Sequence, residues 1–320
     1  MVPGTKVIKF FDEKKSDSHV AVINKIIPFS NVDGPGNRLV IFFQGCNLHC
    51  VYCHNSETIN ICNSCGECVD GCPTGSLVNV IHGDVVHGDR YLESFGSGGQ
   101  VPCTKVEFNS SECIECDQCI RTCRYNSSPR TRIYTPTEIM KEIEGYKLFI
   151  RGITVSGGEP TLQAPFITEL FKLLKPLGLS CFVDTNGVFD IENKEMKELI
   201  EVTDKYMIDI KTVGETEVLC GVKFDNHLKN LRKLLKIDKV YEVRTVLIKS
   251  FMDMEKTVAI VSDILKDYPK VKYKLIKVHP AGLHENQRKP IVDNVPSDQE
   301  VLKLAELAKK TGVKIVKAVL

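Results

Sequence analysis

The chain has 320 residues, of which 42% are hydrophobic and 26% are charged, and its formal net charge is +1. A chain of this length can bury a sizeable core, as one large α/β domain or as two smaller ones. Because the charge is near zero and the basic residues are scattered, we expect no nucleic-acid partner. The first fifteen residues contain VIKFF, soon followed by DEKK, which predicts neither a signal peptide nor a membrane span. We therefore expect a cytoplasmic protein without membrane contact.

The first predicted strand, RLVIFFQGC, runs directly into Cys46. Cys46, Cys50 and Cys53 follow the spacing C-x-x-x-C-x-x-C, and no fourth cysteine completes the set at that spacing. A cluster bound by only three thiolates keeps one iron open, and an open coordination position is how a metal centre binds a reactant. The motif therefore predicts an iron–sulfur cluster whose missing ligand is a substrate.

A segment rich in cysteine, glycine, asparagine and serine follows, and we interpret residues 56–132 as an insertion between residues 1–55 and 133–320. Fourteen cysteines in a reducing compartment favour metal ligation over disulfides. All but Cys181 and Cys220 lie between residues 46 and 123, and those two are predicted to be small core residues. Cys103 also lies in this segment, and we assign it no role. Two interpretations stay open: it is a spare buried thiol, or it replaces one of the ligands named below.

Two cysteine runs in the insertion, CNSCGECVDGCP and CIECDQCIRTC, repeat the pattern C-x-x-C-x-x-C-x-x-x-C, which is the bacterial ferredoxin signature. In that pattern three thiolates hold one [4Fe-4S] cluster, and the fourth reaches the other cluster. We predict one cluster on Cys62, Cys65, Cys68 and Cys123, and a second on Cys113, Cys116, Cys119 and Cys72. Zinc remains an alternative, although it leaves the last two cysteines of each run without a role. Arg124 stands where proline is usual after the last cysteine.

From residue 136 onward, strand-like and helix-like segments alternate. The predicted strands are GITVSGG, LSCFVDTNG, KYMIDIK, YEVRTVLI and KYKLIKVH. The predicted helices are TPTEIMKEIEGY, APFITELFKLLKPLG, ENKEMKELIEV, FDNHLKNLRKLLK, MEKTVAIVSDILKDY and PSDQEVLKLAELAKKTG. With RLVIFFQGC this makes about six βα units, which indicates a parallel α/β architecture.

Unusual residues cluster where these strands end. They are Cys46, Gly157, Gly158, Glu159, Asp184, Thr185, Asp209, Lys211, Arg244 and His279. In parallel α/β sheets, catalytic and ligand-binding residues lie beyond the carboxyl ends of the strands. We therefore expect these residues to face one cavity.

The sequence resembles a known family at this point. The spacing of Cys46, Cys50 and Cys53, with Tyr52 before the last cysteine, and the later SGGEP resemble the radical S-adenosylmethionine (SAM) superfamily. NVDGPGNRLVIFFQGCNLHCVYCHN, together with DTNG, MIDIK and HPAG, is similar to the glycyl radical enzyme activating enzymes, over residues 22 to about 285. The resemblance implies a partial (β/α)6 TIM-like radical SAM barrel with an inserted ferredoxin-like domain that holds two [4Fe-4S] clusters.

The resemblance also implies a reaction and its participants. SAM would chelate the open iron, and one electron from the cluster would break its sulfur–carbon bond to give methionine and a 5′-deoxyadenosyl radical. That radical would take a hydrogen atom from a backbone glycine of a partner glycyl radical enzyme. A flavodoxin or ferredoxin would supply the electron, with the insert relaying it or docking a partner, and we expect a monomer.

Residue roles carry over from the same resemblance. Gly157, Gly158 and Glu159 would meet the SAM amino group, while Lys211, Arg244 and His279 would contact its carboxylate or ribose. Tyr52 and His54 would lie near adenine. A monovalent cation would bind Asp184, Thr185, Asp209 and the carbonyl of Met207, and the loop Asp33, Gly34, Pro35, Gly36 would lie near the entering glycyl loop.

Plainer interpretations of the same residues stay open. Read alone, SGGEP is a strand-to-helix turn, Asp209 and Lys211 form an ordinary ion pair, and Arg244 is an internal counterion for Asp184 or Asp209. Two other functions compete with the activating enzyme: a radical SAM enzyme acting on a small molecule, and an iron–sulfur electron carrier.

Overall fold

The computed structural model describes residues 19–81 and 104–320. Cys103, which the sequence left without a role, lies outside these residues. The main chain forms one large sheet with helices packed on it, and a smaller two-stranded sheet lies in the insertion. Strands of the described residues are β1 (Ala21–Ser30), β2 (Arg38–Phe43), β3 (Leu77–Ile81), β4 (Thr104–Phe108), β5 (Arg132–Tyr134), β6 (Gly152–Gly157), β7 (Ser180–Thr185), β8 (Lys205–Asp209), β9 (Val240–Leu247), β10 (Lys272–Lys277) and β11 (Ile315–Val319).

The large sheet has the strand order β11-β10-β9-β8-β7-β6-β2-β1-β5. All neighbours from β2 to β11 are parallel, whereas β1 pairs antiparallel with both β2 and β5. The six predicted parallel strands are confirmed as β2 and β6 to β10, in chain order across the sheet. This is the open, partial TIM-like barrel expected from the sequence, and it gains β11 as a further parallel strand and β1 and β5 as an antiparallel edge.

Helices connect these strands. Those of the described residues are α1 (Gln118–Thr122), α2 (Pro136–Glu144), α3 (Ala164–Leu174), α4 (Lys194–Val202), α5 (Thr216–Cys220), α6 (His227–Lys236), α7 (Met254–Leu265), α8 (Glu285–Val292) and α9 (Asp298–Thr311). Every helix predicted from periodicity is present, and the short α1, α5 and α8 are additions. Capping boxes at Thr135 with Glu138 and at Ser297 with Glu300 explain where α2 and α9 begin.

One apolar core lies between the large sheet and its helices. It includes Leu39 and Ile41 of β2, Val155 of β6, Val183 of β7 and the inner faces of α3, α6 and α7. Alternate strand residues point the other way, and there polar side chains occur beside apolar ones such as Phe182 and Met207. Because the polar set includes Asp184, Asp209 and Arg244, the packing of the core directs the candidate site residues into a common interior.

The insertion leaves the large sheet after β2 and returns at β5. Its two strands, β3 and β4, pair antiparallel with each other, and a small apolar cluster of Cys68, Leu77 and Val106 lies beneath them. Across the two described ranges, no helix is both long and apolar enough to cross a membrane.

Candidate functional site

The loop that carries Cys46, Cys50 and Cys53 is held by backbone hydrogen bonds on its first side. The N–H groups of Gly45 and Cys46 donate to the carbonyls of Thr58 and Ile59 at 2.8 and 2.9 Å. The loop follows β2 directly, so the first cysteine stands at the carboxyl end of a central parallel strand. Its position is therefore fixed by main-chain contacts on the insertion side.

The other side of the loop rests on the end of α5. The N–H groups of His49 and Val51 donate to the carbonyls of Cys220 and Leu219 at 2.8 and 3.0 Å. Cys220 is fully buried in the same apolar cluster as Cys50, and a hydrogen bond from its thiol lowers the pKa of Cys50. The sequence predicted only a core role for Cys220, since nothing in its spacing relates it to the motif 170 residues earlier.

The arrangement of the cysteine thiols bears on which metal they could hold. Among the residues described, no three or more His, Cys, Asp or Glu side chains form a group that could hold one metal ion. A single zinc ion needs its sulfurs about 2.3 Å from one point. A cubane cluster instead fills a space between thiolates that lie further apart.

Two cavities in the insertion match the two predicted ligand sets. We call them the Cys62 cavity, lined by Cys62, Cys65, Cys68 and Cys123, and the Cys113 cavity, lined by Cys113, Cys116, Cys119 and Cys72. In each set the fourth cysteine comes from the opposite run, which is the exchange that the ferredoxin pattern predicts. These residues fit two four-iron clusters.

The two cysteine runs also share their backbone conformation. Left-handed residues occur at matching positions: Ser64 with Glu115, Gly66 with Asp117, and Gly75 with Asn126. The N–H groups of Ser64 and Glu115 each point at the first sulfur of their run at 3.4 Å. The N–H of Leu48 makes the same 3.4 Å contact to Cys46. Such N–H···S contacts are typical of cluster-binding loops and tune cluster potentials.

Gly157 and Gly158 bring strand β6 against β2 and the start of the cysteine loop. A Cβ at Gly158 would lie 2.1 Å from the carbonyl oxygen of Gly45, and one at Gly157 would lie 2.4 Å from the nitrogen of Phe43. The N–H groups of Gly158 and Glu159 donate to the carbonyls of Phe43 and Gly45 at 2.9 and 2.8 Å. The two glycines are therefore required for close backbone packing in the free protein.

Glu159 is fully buried, and its carboxylate accepts four hydrogen bonds from the protein. Oε1 accepts from the N–H and hydroxyl of Thr161 at 3.1 and 2.6 Å and from the hydroxyl of Thr185 at 2.7 Å. Oε2 accepts from the N–H of Asn186 at 2.8 Å. Burial raises the pKa of this carboxyl, against the lowering effect of these hydrogen bonds. In this structure Glu159 ties the end of β6 to the end of β7.

The tie continues to the cysteine loop through two residues that the sequence analysis missed. The side-chain amide of Asn186 donates to Oδ1 of Asn47 at 2.8 Å, and Nδ2 of Asn47 donates to the carbonyl of Val188 at 2.7 Å. Asn47 is the neighbour of Cys46 in the sequence. The asparagine within DTNG was the available signal, because its motif had been singled out while the residue itself had not.

Four charged residues form one network: Asp184 and Asp209 at the carboxyl ends of β7 and β8, Lys211 just beyond β8, and Arg244. Arg244 was predicted at a strand end but lies within β9, three residues before its last residue. The guanidinium of Arg244 contacts Asp184 through Nη2 and Asp209 through Nε, the latter at 2.6 Å, and Nζ of Lys211 lies 2.8 Å from Asp209. The hydroxyl of Ser156 donates to Asp184 at 3.0 Å. Both plainer interpretations, the Asp209–Lys211 pair and Arg244 as a counterion, are thus seen in the structure.

The two carboxyls of the network have pKa values that are shifted in opposite directions. Burial raises the pKa of Asp184 to about 6, with Arg244 opposing the rise. For Asp209, burial acts in the same direction, but Arg244 and Lys211 outweigh it and lower the pKa to about 2. Arg244 therefore occupies the space between the two carboxylates that the resemblance assigns to a monovalent cation. Thr185, a third member of that set, donates to Glu159 instead.

Tyr52 and the two histidines lie on the remaining side of the cysteine loop. Tyr52 is buried, and within the described ranges its hydroxyl has no hydrogen-bond partner. Nζ of Lys211 lies 5.9 Å from the centre of its ring. The rings of His54 and His279 are 4.7 Å apart, and Nε2 of His54 lies 3.1 Å from the carbonyl oxygen of His279. An unpaired buried hydroxyl beside a cation is an observation that suits a polar ligand.

The loop Asp33, Gly34, Pro35, Gly36 lies at the amino end of β2, at the opposite end of that strand from Cys46. The carbonyl of Asp33 accepts a 2.6 Å hydrogen bond from the hydroxyl of Thr154. Beneath the loop, the fully buried Arg38 donates to Thr154 at 2.7 Å and to the hydroxyl of Ser180 at 2.8 Å. Arg38 was not predicted as a site residue, although only Asn37 separates it from the loop.

Three family models match the chain. Residues 113–261 match the Radical SAM superfamily, residues 61–127 match a 4Fe-4S dicluster domain, and residues 32–74 match a 4Fe-4S single cluster domain. The dicluster match spans both cysteine runs of the insertion. It therefore supports iron–sulfur clusters there over zinc.

Several known proteins are similar along most of the chain. One relative is a Haemophilus influenzae protein whose name describes it as a glycyl-radical enzyme activating enzyme. It is 31% identical over 93% of this chain and 96% of its own length. The indoleacetate decarboxylase activating enzyme of Tractidigestivibacter scatoligenes is 26% identical over 92% and 96%. The pyruvate formate-lyase 1-activating enzyme of Escherichia coli K12 is 25% identical over 83% and 85%.

A solved domain of a pyruvate-formate lyase-activating enzyme from Bacteroides vulgatus covers 52% of this chain and 98% of its own, with 22% identity and a TM-score of 0.42. Membership of the family is shown instead by the similarity to the Haemophilus protein along 93% of this chain and by the Radical SAM match. Both agree with the sheet order and with the cysteine motif at its strand end. The chain belongs to the glycyl-radical enzyme activating enzymes of the radical SAM superfamily, a family of oxidoreductases.

Proposed function

We propose that this chain activates a partner glycyl radical enzyme by reductive cleavage of SAM, with removal of a hydrogen atom from a glycine of that partner. The observation that carries the proposal is the position of Cys46, Cys50 and Cys53. Backbone hydrogen bonds hold their loop at the carboxyl end of β2, and Nζ of Lys211, in the charged network, lies 5.9 Å from the ring centre of Tyr52 in the same loop. When bound, the three-cysteine cluster and SAM supply the electron transfer and the 5′-deoxyadenosyl radical.

The chain's own residues would bind and orient the nucleotide. Lys211 and Arg244 are cations held by buried carboxylates, which suits them to a SAM carboxylate. Tyr52, with its unpaired hydroxyl, and the contacting pair His54 and His279 would line the adenine side.

Glu159 receives a revised role in this proposal. Because its carboxylate already accepts four hydrogen bonds from Thr161, Thr185 and Asn186, we propose that it positions the strand ends. The backbone at Gly157 and Gly158 would then meet the SAM amino group. A monovalent cation at Asp184, Thr185, Met207 and Asp209 remains part of the proposal only if Arg244 gives way to it. Dependence of SAM affinity on potassium would test this.

The insertion at residues 56–132 would hold two further [4Fe-4S] clusters, which makes three in the chain. We propose a flavodoxin or ferredoxin as the electron donor, a cytoplasmic location and a monomer that docks transiently on its partner. The identity of the glycyl radical enzyme is left to the experiment below.

The test starts from reconstituted protein incubated without oxygen with dithionite and SAM. The proposal expects 5′-deoxyadenosine and methionine in equal amounts, and none from a Cys50→Ala variant. Adding a candidate glycyl radical enzyme should then give an EPR doublet from a glycyl radical. Absence of 5′-deoxyadenosine would leave the electron carrier, and cleavage without a doublet from any tested partner would favour a small-molecule substrate.

A further inference from the structure

An ion pair lies at each cavity of the insertion, and in each pair one side chain is less exposed than the other. The less exposed side chain is a cation at the Cys113 cavity and an anion at the Cys62 cavity. At the Cys113 cavity, Nη2 of Arg130 lies 2.6 Å from Oδ1 of Asp117. The arginine side chain is 21% exposed and the aspartate 56%. Both line the cavity, but the guanidinium is the buried member.

The Cys62 cavity shows the reverse arrangement. Glu67 lines it and pairs with Arg124, which does not line it. Here the carboxylate is the more buried member, at 39% exposure against 67% for the arginine. A charge in contact with water is screened more than one inside the protein, so the less exposed member of each pair, Arg130 or Glu67, acts more strongly on its cavity.

The Asp117–Arg130 pair has no charged counterpart at the equivalent positions of the first cysteine run. The position that matches Asp117 is Gly66, and the one that matches Arg130 is Asn79. A Cβ on Gly66 would lie 2.9 Å from Oδ1 of Asn79, so the neutral pair occupies the same place in the repeat as the charged pair. Among the described residues that line the two cavities, Arg130 of the Cys113 cavity is the only cation, and Arg124 reaches the Cys62 cavity only through its pair with Glu67.

The Cys62 cavity is the one joined to the three-cysteine loop. Ile59, which binds the N–H of Cys46, precedes Cys62 by three residues, so their Cα atoms are at most about 11 Å apart. The intervening Asn60 binds the carbonyl of Asn126 at 3.0 Å and bridges to Ser127, which lines the same cavity.

We propose that the two insert clusters have different reduction potentials, with Arg130 raising that of the cluster in the Cys113 cavity and Glu67 lowering that of the cluster in the Cys62 cavity. A four-iron cluster gains one negative charge when it accepts one electron. A neighbouring cation stabilises that reduced form, and a neighbouring carboxylate destabilises it. An electron from a one-electron carrier of the ferredoxin or flavodoxin class would therefore reside first on the Cys113 side, away from Cys46. The inference rests on the proposed function only in that the insertion holds two clusters.

The test is an EPR-monitored redox titration of the reconstituted full chain, with dithionite as reductant. Added SAM identifies the third cluster, because only its signal should respond. Two separate insert midpoints are expected. Arg130→Gln should move the higher midpoint down without moving the lower one, and Arg130→Lys should restore it. Glu67→Gln should move only the lower midpoint, and upward.

Matched controls come from the more exposed member of each pair. Asp117→Asn and Arg124→Gln should shift the midpoints less than changes to Arg130 and Glu67 do. One shared midpoint, parallel movement of both midpoints, or equal shifts from the two members of a pair would overturn the inference. If Arg130→Gln fails to load iron, Glu67→Gln still decides it. SAM cleavage lost with both insert midpoints intact would instead count against the proposed function.

Discussion

The carboxylate of Glu159 accepts the backbone N–H of Asn186 at 2.8 Å, and this contact joins the ends of β6 and β7. Asn186 in turn binds Asn47 beside Cys46. A buried acid thus organises three separate segments without being exposed to a ligand itself.

Replacing Glu159 by glutamine should destabilise the protein through this contact. The amide would place a donor where the carboxylate accepts four hydrogen bonds, so at least one donor would be left buried and unpaired. We expect the free energy of unfolding to fall by about 1–3 kcal/mol in a denaturant titration. Glu142→Gln, on the exposed face of α2, is the control. Equal stability of both variants would contradict the positioning role.

Replacing Gly158 by alanine should disturb the cysteine loop. The new methyl group would lie 2.1 Å from the carbonyl oxygen of Gly45, and backbone atoms on both sides leave no flexible group to move. We expect a loss of about 1–3 kcal/mol, measured by thermal unfolding of the apoprotein. Gly145→Ala is the matched control, since nothing lies within 4 Å of its Cβ position and its φ is −67°. That change should be neutral or stabilising by up to about 1 kcal/mol. A Gly158→Ala protein as stable as the control would refute the packing argument.

Paired cysteine substitutions should reveal the exchange of ligands between the two runs. Cys72 and Cys116 line the same cavity, whereas Cys72 and Cys65 line different ones. The double variant Cys72→Ala/Cys116→Ala should therefore lose one cluster, about four iron atoms per chain, and Cys72→Ala/Cys65→Ala should lose two, about eight. Iron and sulfide analysis after anaerobic reconstitution measures this. If instead Cys72→Ala/Cys65→Ala removes only one cluster, each run would hold its own.

His227 should make the fold sensitive to mild acid. Burial lowers its pKa, against the raising effect of its hydrogen bond to the carbonyl of Thr212, at 3.0 Å. An unfolded histidine titrates near 6.5, so below about pH 6.5 the unfolded chain binds a proton that the folded chain resists. Stability should fall as the pH drops from about 6.5 to the lowered pKa of His227.

The variant His227→Gln isolates this contribution. At pH 8 both side chains are neutral, so the difference in unfolding free energy there reports the change in packing alone. Between pH 6.5 and 5 that difference should shift in favour of the variant. A difference that stays constant with pH would show that His227 is not the responsible group.

Periodicity and motif order were sufficient to predict the parallel strands and the elements that carry the site. Asp184, Asp209 and Arg244 were expected at strand carboxyl ends, and the structure brings them into one network. The edge strands β5 and β11 were missed because short, partly exposed strands alternate weakly and carry polar residues such as Arg132 and Lys317. The ten-residue β1 was missed although it lies between β2 and β5, since AVINKIIPFS shows no regular alternation of apolar and polar residues.

The direction in which each site side chain points could not be predicted from the sequence. SGGEP locates Glu159 at a strand end, but whether its carboxylate faces a ligand or the protein depends on Thr161, Thr185 and Asn186 converging on it. The contact of Cys220 with Cys50 likewise depends on the way α5 packs beneath the loop. Such details arise from tertiary packing, which local patterns do not encode.

The segment from Thr58 to Asn60 has a consequence for how this protein can diverge from its relatives. It binds the cysteine loop on one side and the ferredoxin-like repeat on the other through main-chain atoms. Spacing between redox centres is thus set by the polypeptide backbone, whereas the charges around each centre are set by individual side chains. Point mutations can adjust the driving force for an electron's passage while the distance it travels stays the same.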